Sequence, residues 1–224
     1  MSIPRYTWRE STDIISVSAV GSLKENLSPG TFVIVDQFID RTINRKKSFF
    51  NENIVAHVPM SEPTSKELMK LCKKNLDVLS ISNVLGGTYL TMEGPQFSTK
   101  SESNLYRQWG CDVIGMTNMP EAKLAREAEI RYCSISMVTD YDCWHPNHES
   151  VNLEIVIKTM KENTQKSKNF IKKISKEYYK GIDFSKDKTQ NILDTSIITD
   201  RNSWELETEK KLFTILKRFK KNNS

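Results

Sequence analysis

A chain of 224 residues, 38% hydrophobic and 27% charged, has enough apolar material to build a core of ordinary size in one domain spanning 1–224. No apolar run approaches the roughly 18 to 20 residues that span a bilayer, and the opening MSIPRYTWRE has no apolar signal core, so a cytoplasmic protein without a membrane partner is expected. The net charge of +5 sits in the tail, because residues 158–224 hold 17 of the 33 Lys and Arg but only 9 of the 28 Asp and Glu; a basic helix face is then the expectation, with no nucleic-acid partner.

In chain order, Asp13–Val20, Thr31–Phe38, Gly87–Glu93, Cys111–Met116 and Arg131–Val138 are short runs rich in Val, Ile, Tyr and Thr, the pattern of buried strands. Between them, Thr64 with Glu67, Thr99 with Glu102 and Asn118 with Glu121 have capping-box spacing and predict helix starts. Gly110 and the Glu129–Ile130 step close the last two of these helices. Strands alternating with helices over 87–138 imply βαβ crossovers. The predicted fold is therefore α/β, a mixed, largely parallel twisted sheet flanked by helices. After Glu149, apolar positions from Val151 to Ile174 fit one long amphipathic helix at about 150–180, and a last helix is predicted over 204–220.

Binding sites in such sheets gather at the carboxyl ends of strands, and three strand ends carry suitable chemistry. Ser16–Leu23 ends a strand in small hydroxyl residues and glycine, which allow backbone amides to approach an anion. Met116-Thr117-Asn118 ends another where a helix begins. The third is TDYDCWHPNHE, residues 139–149, with Asp140, Asp142, His145 and His148. If the strand continues, Asp140 and Asp142 project to one side and grip a flat ligand together. A divalent metal is a weaker reading, because Pro146 interrupts the segment and no HExxH spacing occurs. Cys72, Cys111, Cys133 and Cys143 stand without a CxxC pair, which suggests neither a thiolate cluster nor a disulfide framework.

Taken together, VSAVGSL, IVDQFIDRT, AHVPM, MEGPQFSTKSES, GMTNMPEAKLAREAEI and MVTDYDCWH resemble the methylthioadenosine phosphorylases of the trimeric purine nucleoside phosphorylase family. The resemblance implies phosphorolysis of 5'-methylthioadenosine to adenine and 5-methylthioribose 1-phosphate, a step of purine and methionine salvage. It also implies a homotrimer that uses inorganic phosphate as co-substrate and no metal or organic cofactor. Asp140 is implied as the catalytic acid facing purine N7, and Asp142 as the acceptor for the 6-amino group. Phe97 would stack on the base, Met116 line the ribose, and His57 reach a neighbouring subunit's sugar pocket. Val151 and Leu153 would wall the 5'-methylthio group, and Ser18, Ala19 and Thr117 would contact phosphate. His145 and His148 match no catalytic role.

Members of that family begin with a strand carrying a glycine-rich GGTG-like loop, followed by an Arg-His pair, and MSIPRYTWRESTD contains no counterpart of either. An N-terminally shortened fold with weakened phosphate binding is therefore expected. The competing expectation is a non-catalytic purine-nucleoside binder, or a subunit that assembles with a full-length relative.

Overall fold

The computed structural model describes residues 11–50, 52–145, 153–178 and 182–220. Its two longest strands, β1 (Asp13–Ser22) and β7 (Arg131–Asp140), lie side by side and parallel, with Ser18 opposite Ser136 and Ala19 opposite Met137. Both are the β-branched runs expected from the sequence, each two residues longer. At their amino ends the Arg131 guanidinium grips the Asp13 carboxylate through both oxygens, and Tyr178 donates to the same group. The pair is almost wholly enclosed, a geometry that fixes register more than it adds net stability.

The run Thr31–Phe38 is two strands, β2 (Phe32–Val35) and β3 (Gln37–Asp40), and a further strand, β4 (Asn83–Leu85), pairs with β2. With β5 (Thr88–Thr91) and β6 (Val113–Gly115), the sheet order is β3-β5-β6-β1-β7-β2-β4. Consecutive strands β2 and β3 thus stand near opposite ends of the sheet with only Asp36 between them, so the sheet must curl round on itself. Asp36 makes the corner: its carboxylate accepts from Gly87 N–H at 2.9 Å, while its own N–H and that of Gln37 donate to Gly87 O. The β1–β7, β2–β4, β3–β5 and β5–β6 pairs are parallel, as βαβ crossovers require, and β1–β6 and β2–β7 are antiparallel.

Side chains alternate across β1 as the pleat dictates. Ile15 and Val17 pack toward α1 (Lys66–Val78) and α4 (Leu153–Glu177) with Phe32, Leu68, Cys72, Ile135 and Phe170; Ile14 packs with Met119 of α3 (Asn118–Glu127) and with Tyr132 of β7. Each fully buried Leu, Ile or Phe contributes about 1.5–3 kcal/mol by leaving water. Inside the curl, Val20, Val33, Tyr89, Val113 and Val138 form a separate cluster. The edge of β1 opposite β7 is paired, among the described residues, only at Gly21 and Ser22, with β6. Because Arg131 N–H donates to Thr12 O, even-numbered residues of β1 bond to β7. Parity therefore turns the backbone groups of Asp13, Ile15, Val17 and Ala19 away from β7.

The helices show where sequence signals compete. α2 (Lys100–Gln108) has the Thr99–Glu102 capping box in full. α1 is capped by Ser65 rather than Thr64, whose hydroxyl instead donates to the Met69 sulfur. α3 has Thr117 at its N-cap without a side-chain cap bond, and Glu121 accepts from the Tyr132 hydroxyl instead of closing a box with Asn118. α4 covers the long amphipathic stretch. The predicted single helix over 204–220 is broken into α5 (Leu206–Lys211), α6 (Phe213–Leu216) and a 3-10 turn, Lys217–Lys220. Docking decides this break: Leu212 and Leu216 bury beside Phe50, Ile54 and Leu193, and Arg218 is drawn onto Glu129 and Asp194. That contact removes one cation from the basic face.

Candidate active site

Asp140 is the last residue of β7, and the chain does not continue as a strand beyond it. Asp142 adopts φ 53°, the left-handed region, and its N–H donates to Asp140 Oδ1 at 2.8 Å. The two carboxyl groups are therefore brought together by a tight turn, not by strand alternation as the sequence suggested. Gly21 makes room for them: a Cβ there would stand 3.1 Å from Asp140 Oδ1 and 3.4 Å from Asp142 Cβ. The turn is pinned from behind, since Trp144 Nε1–H donates to Ser22 O at 2.7 Å, the Arg107 guanidinium lies 3.5 Å over the Trp144 ring, and Cys143 Sγ reaches Ser98 O.

Both carboxyls are pushed above the usual carboxylate range. Burial is the main cause for Asp140, opposed by the Thr139 hydroxyl and the Asp142 N–H. For Asp142 burial again comes first, and the neighbouring Asp140 charge adds to it. Burial thus shifts both members of the Asp140–Asp142 pair toward the protonated form relative to ordinary aspartates. Thr139 suits either state. Its hydroxyl lies 2.6 Å from Asp140 Oδ2 and 3.1 Å from Val20 O, with one proton to give. Donating to Val20, it offers a lone pair to a protonated Asp140.

Ser18 and Ala19 lie within β1, and Thr117 follows the end of β6. Ser18 Oγ is 3.5 Å from Asn118 Oδ1, and Thr117 Oγ1 is 3.2 Å from the same oxygen. Asn118 is held from below by Ser134 through its side-chain amide, and Tyr89 places its hydroxyl 3.4 Å from Thr117 Oγ1. The position of Tyr89 depends on Gly115, where a Cβ would overlap the phenol oxygen at 2.0 Å. The sequence marked Asn118 only as a helix start at a strand end and Tyr89 only as part of a strand; neither carries a local signal of its contact with Thr117. Thr117 is exposed, and Ser18 and Ala19 are half-buried.

Met116 also sits here, its thioether against Gly94, where a Cβ would lie 2.5 Å from the sulfur. Phe97 is 65% exposed on the loop before α2 and makes no ring contact with another described aromatic side chain. His57 is exposed, and its main-chain N–H donates to Ser196 O. Val151 and His148 lie outside the described residues, as does the side chain of Leu153, the first residue of α4. His145 stacks near Tyr141 and reaches Glu25 Oε2 at 3.2 Å. Among the described residues no group of three His, Cys, Asp or Glu side chains is placed to hold a metal ion, and no helix is long and apolar enough to cross a membrane. A cleft of about 420 Å³ lined by Leu23, Lys24, Asn104, Arg107 and Gln108 shares none of the site residues and contains no carboxyl group.

Comparison with known proteins matches residues 10–176 to the phosphorylase superfamily. The chain is 62% identical over 161 residues to an S-methyl-5'-thioadenosine phosphorylase of Rhodospirillum rubrum, covering 72% of this chain and 55% of that protein. It is 47% identical over 201 residues to the protein of that name from Bradyrhizobium diazoefficiens, covering 90% and 69%. The chain thus spans little more than half the length of the first of these relatives. Among solved structures, a methylthioadenosine phosphorylase from an antarctic soil metagenomic library superposes with TM-score 0.81 at 41% identity, over 92% of this chain and 72% of that one. The Schistosoma mansoni methylthioadenosine phosphorylase in complex with adenine superposes with TM-score 0.78 at 30% identity, over 84% and 73%. A curled sheet of this order, with Asp140 and Asp142 joined by a tight turn at the end of β7, and these likenesses lead to one assignment: the chain belongs to the phosphorylase superfamily and, within it, to the S-methyl-5'-thioadenosine phosphorylases.

Proposed function

We propose that the protein catalyses phosphorolysis of 5'-methylthioadenosine, releasing adenine and 5-methylthioribose 1-phosphate, without metal or organic cofactor. The observation that carries this reading is the tight turn that folds Asp142, which is buried, back onto the half-buried Asp140, its N–H donating to the Asp140 carboxylate, while Ser18, further back along β1, clusters with Thr117 and Asn118. Cleaving the bond from ribose C1' to purine N9 leaves negative charge on the base and positive charge on the sugar. A carboxyl that keeps its proton next to N7 stabilises the first, and an anionic phosphate held at the strand ends meets the second. With one proton shared between the two acids, adenine itself selects its place: N7 accepts from Asp140, while the 6-amino group donates to Asp142. Phe97 and His57, both exposed in the single chain, suit a site completed by a neighbouring subunit of a homotrimer. A single domain, a cytoplasmic address and a place in methionine and purine salvage complete the reading, with nucleoside and phosphate as partners and no role for nucleic acid.

The test is direct. Titration calorimetry of the purified chain with adenine and with 5'-methylthioadenosine, paired with an adenine-release assay with and without phosphate, should show binding of both and release only with phosphate. Binding without phosphate-dependent release would assign the purine-nucleoside binder instead, and no binding of either ligand would end both readings. Within this reading Tyr89 orients Thr117 and touches no ligand. Tyr89→Phe should therefore raise the KM for phosphate about three- to tenfold, the worth of one neutral hydrogen bond, and leave adenine affinity unchanged. An unaltered phosphate KM would show that the hydroxyl contributes nothing to the anion site.

A further inference from the structure

Arg45 lies in the loop after β3, and its guanidinium joins the carboxyl end of β5 to the junction of β6 with α3. Nη1 donates to Met116 O at 2.7 Å and to Met119 O at 2.6 Å. Nη2 donates to Glu93 O at 2.9 Å and lies 3.5 Å from Met92 O, while Nε is 3.8 Å from the Glu93 carboxylate. The other oxygen of that carboxylate accepts from Ile43 N–H at 2.6 Å, so the loop carrying Arg45 is itself tied to the end of β5. The acceptors are main-chain carbonyls at the carboxyl end of β5 and across the junction of β6 with α3. That junction holds Met116 and Thr117, and it has little internal support, since Met119 is non-helical and Thr117 makes no cap bond. Met116 is gripped from two sides, by Arg45 at its carbonyl and by Gly94 at its sulfur.

We infer that Arg45 is a positioning residue that sets the Met116–Thr117 turn against the ribose and phosphate, and so acts on the sugar end of the substrate and not on the base. The inference rests on the proposed phosphorylase reading. A guanidinium suits the task because its planar fork satisfies several carbonyls at fixed angles, whereas an ammonium bonds fewer of them without a fixed plane. The base-reading pair stands at the end of β7 and in the turn that follows it, held by Thr139, Gly21 and Trp144 and away from the carbonyls that Arg45 bonds. Losing Arg45 should therefore separate the two halves of the ligand.

The experiment compares wild type, Arg45→Lys and Arg45→Ala in three readouts: calorimetric affinity for adenine, calorimetric affinity for 5'-methylthioadenosine, and the KM for phosphate. Arg45→Ala should keep adenine affinity within twofold, weaken 5'-methylthioadenosine about tenfold or more, and raise the phosphate KM by a similar factor; Arg45→Lys should fall between. Should the alanine variant fail to fold, the lysine and Arg45→Gln variants carry the same comparison, with melting temperature measured on each. Equal weakening of adenine and 5'-methylthioadenosine would reduce Arg45 to a structural staple and overturn the inference, as would no change in either. Wild-type protein that binds neither ligand would instead bring down the phosphorylase reading on which it stands.

Discussion

Asp140→Asn should lose about 10²–10⁴-fold in kcat, the range for removing a general acid, while keeping adenine affinity within about tenfold. Asparagine has nearly the same shape, its carbonyl oxygen still accepts the Asp142 N–H, and its amide still donates to an acceptor such as N7. What it lacks is a proton to give, so the loss measures proton transfer alone. Asp140→Ala removes the hydrogen bond as well and should bind adenine more weakly than the asparagine variant. If Asp140→Asn retained more than a tenth of wild-type kcat, proton donation from this position would be excluded.

The same residue sets a pH dependence whose sign follows from burial. Asp140 is shifted upward because its surroundings disfavour the charge, and Asp142 is shifted upward for the same first reason. In the proposed mechanism the active state needs the protonated acid, so kcat should be full below the raised pKa and fall as pH rises through it. The folded protein holds these protons more tightly than the unfolded chain, so this pair favours folding fully below the ordinary aspartate pKa and loses that contribution as pH rises from there through the raised folded-state pKa. Asp13 runs the other way. Its own burial opposes the shift, yet the Arg131, Thr12 and Tyr178 hydrogen bonds together lower its pKa, so its contribution holds above the ordinary aspartate range and is lost as pH falls through the lowered value. In Asp140→Asn the alkaline limb of the kcat profile should flatten.

Much of this fold was legible where the chain is locally unambiguous. The runs from Asp13 and Arg131 are continuous, β-branched and buried, and they form the two central strands. Thr99 with Glu102 is a cap whose two partners lie three residues apart, so the sequence contains the whole interaction. Where partners are distant, the reading failed for that reason. Nothing near Asp36 announces that Gly87, 51 residues on, will turn one apolar run into two strands near opposite ends of a sheet. Asn83–Leu85 is three residues, partly exposed, and too short for any alternation to register. In the site, TDYDC marked the acids but not their geometry. A strand reading placed Asp142 two steps along a pleat, while the left-handed backbone at 142 folds it back onto its neighbour. Arg45, Tyr89 and Asn118 stayed hidden because each acts through a contact with residues far along the chain or through a main-chain atom.

That left-handed backbone makes Asp142→Asn an unusually clean probe of base selection. Asparagine is among the few side chains that tolerate positive φ, so the turn should survive, whereas alanine would add backbone strain to the loss of function. The N–H that donates to Asp140 is unaffected by the side chain. An aspartate at this position accepts from a 6-amino group and repels a 6-oxo oxygen, while an asparagine amide turns to meet either one. Adenine should bind about 10- to 100-fold more weakly, as expected for losing a charge-assisted hydrogen bond of about 1.5–3 kcal/mol. Hypoxanthine should gain, so that the preference between the bases shifts by on the order of 10³. Calorimetry with both bases on wild type and variant measures the shift. Parallel weakening of adenine and hypoxanthine would mean that Asp142 holds the turn without reading the base. Movement of adenine alone would leave the exclusion of 6-oxopurines to some other contact around the purine.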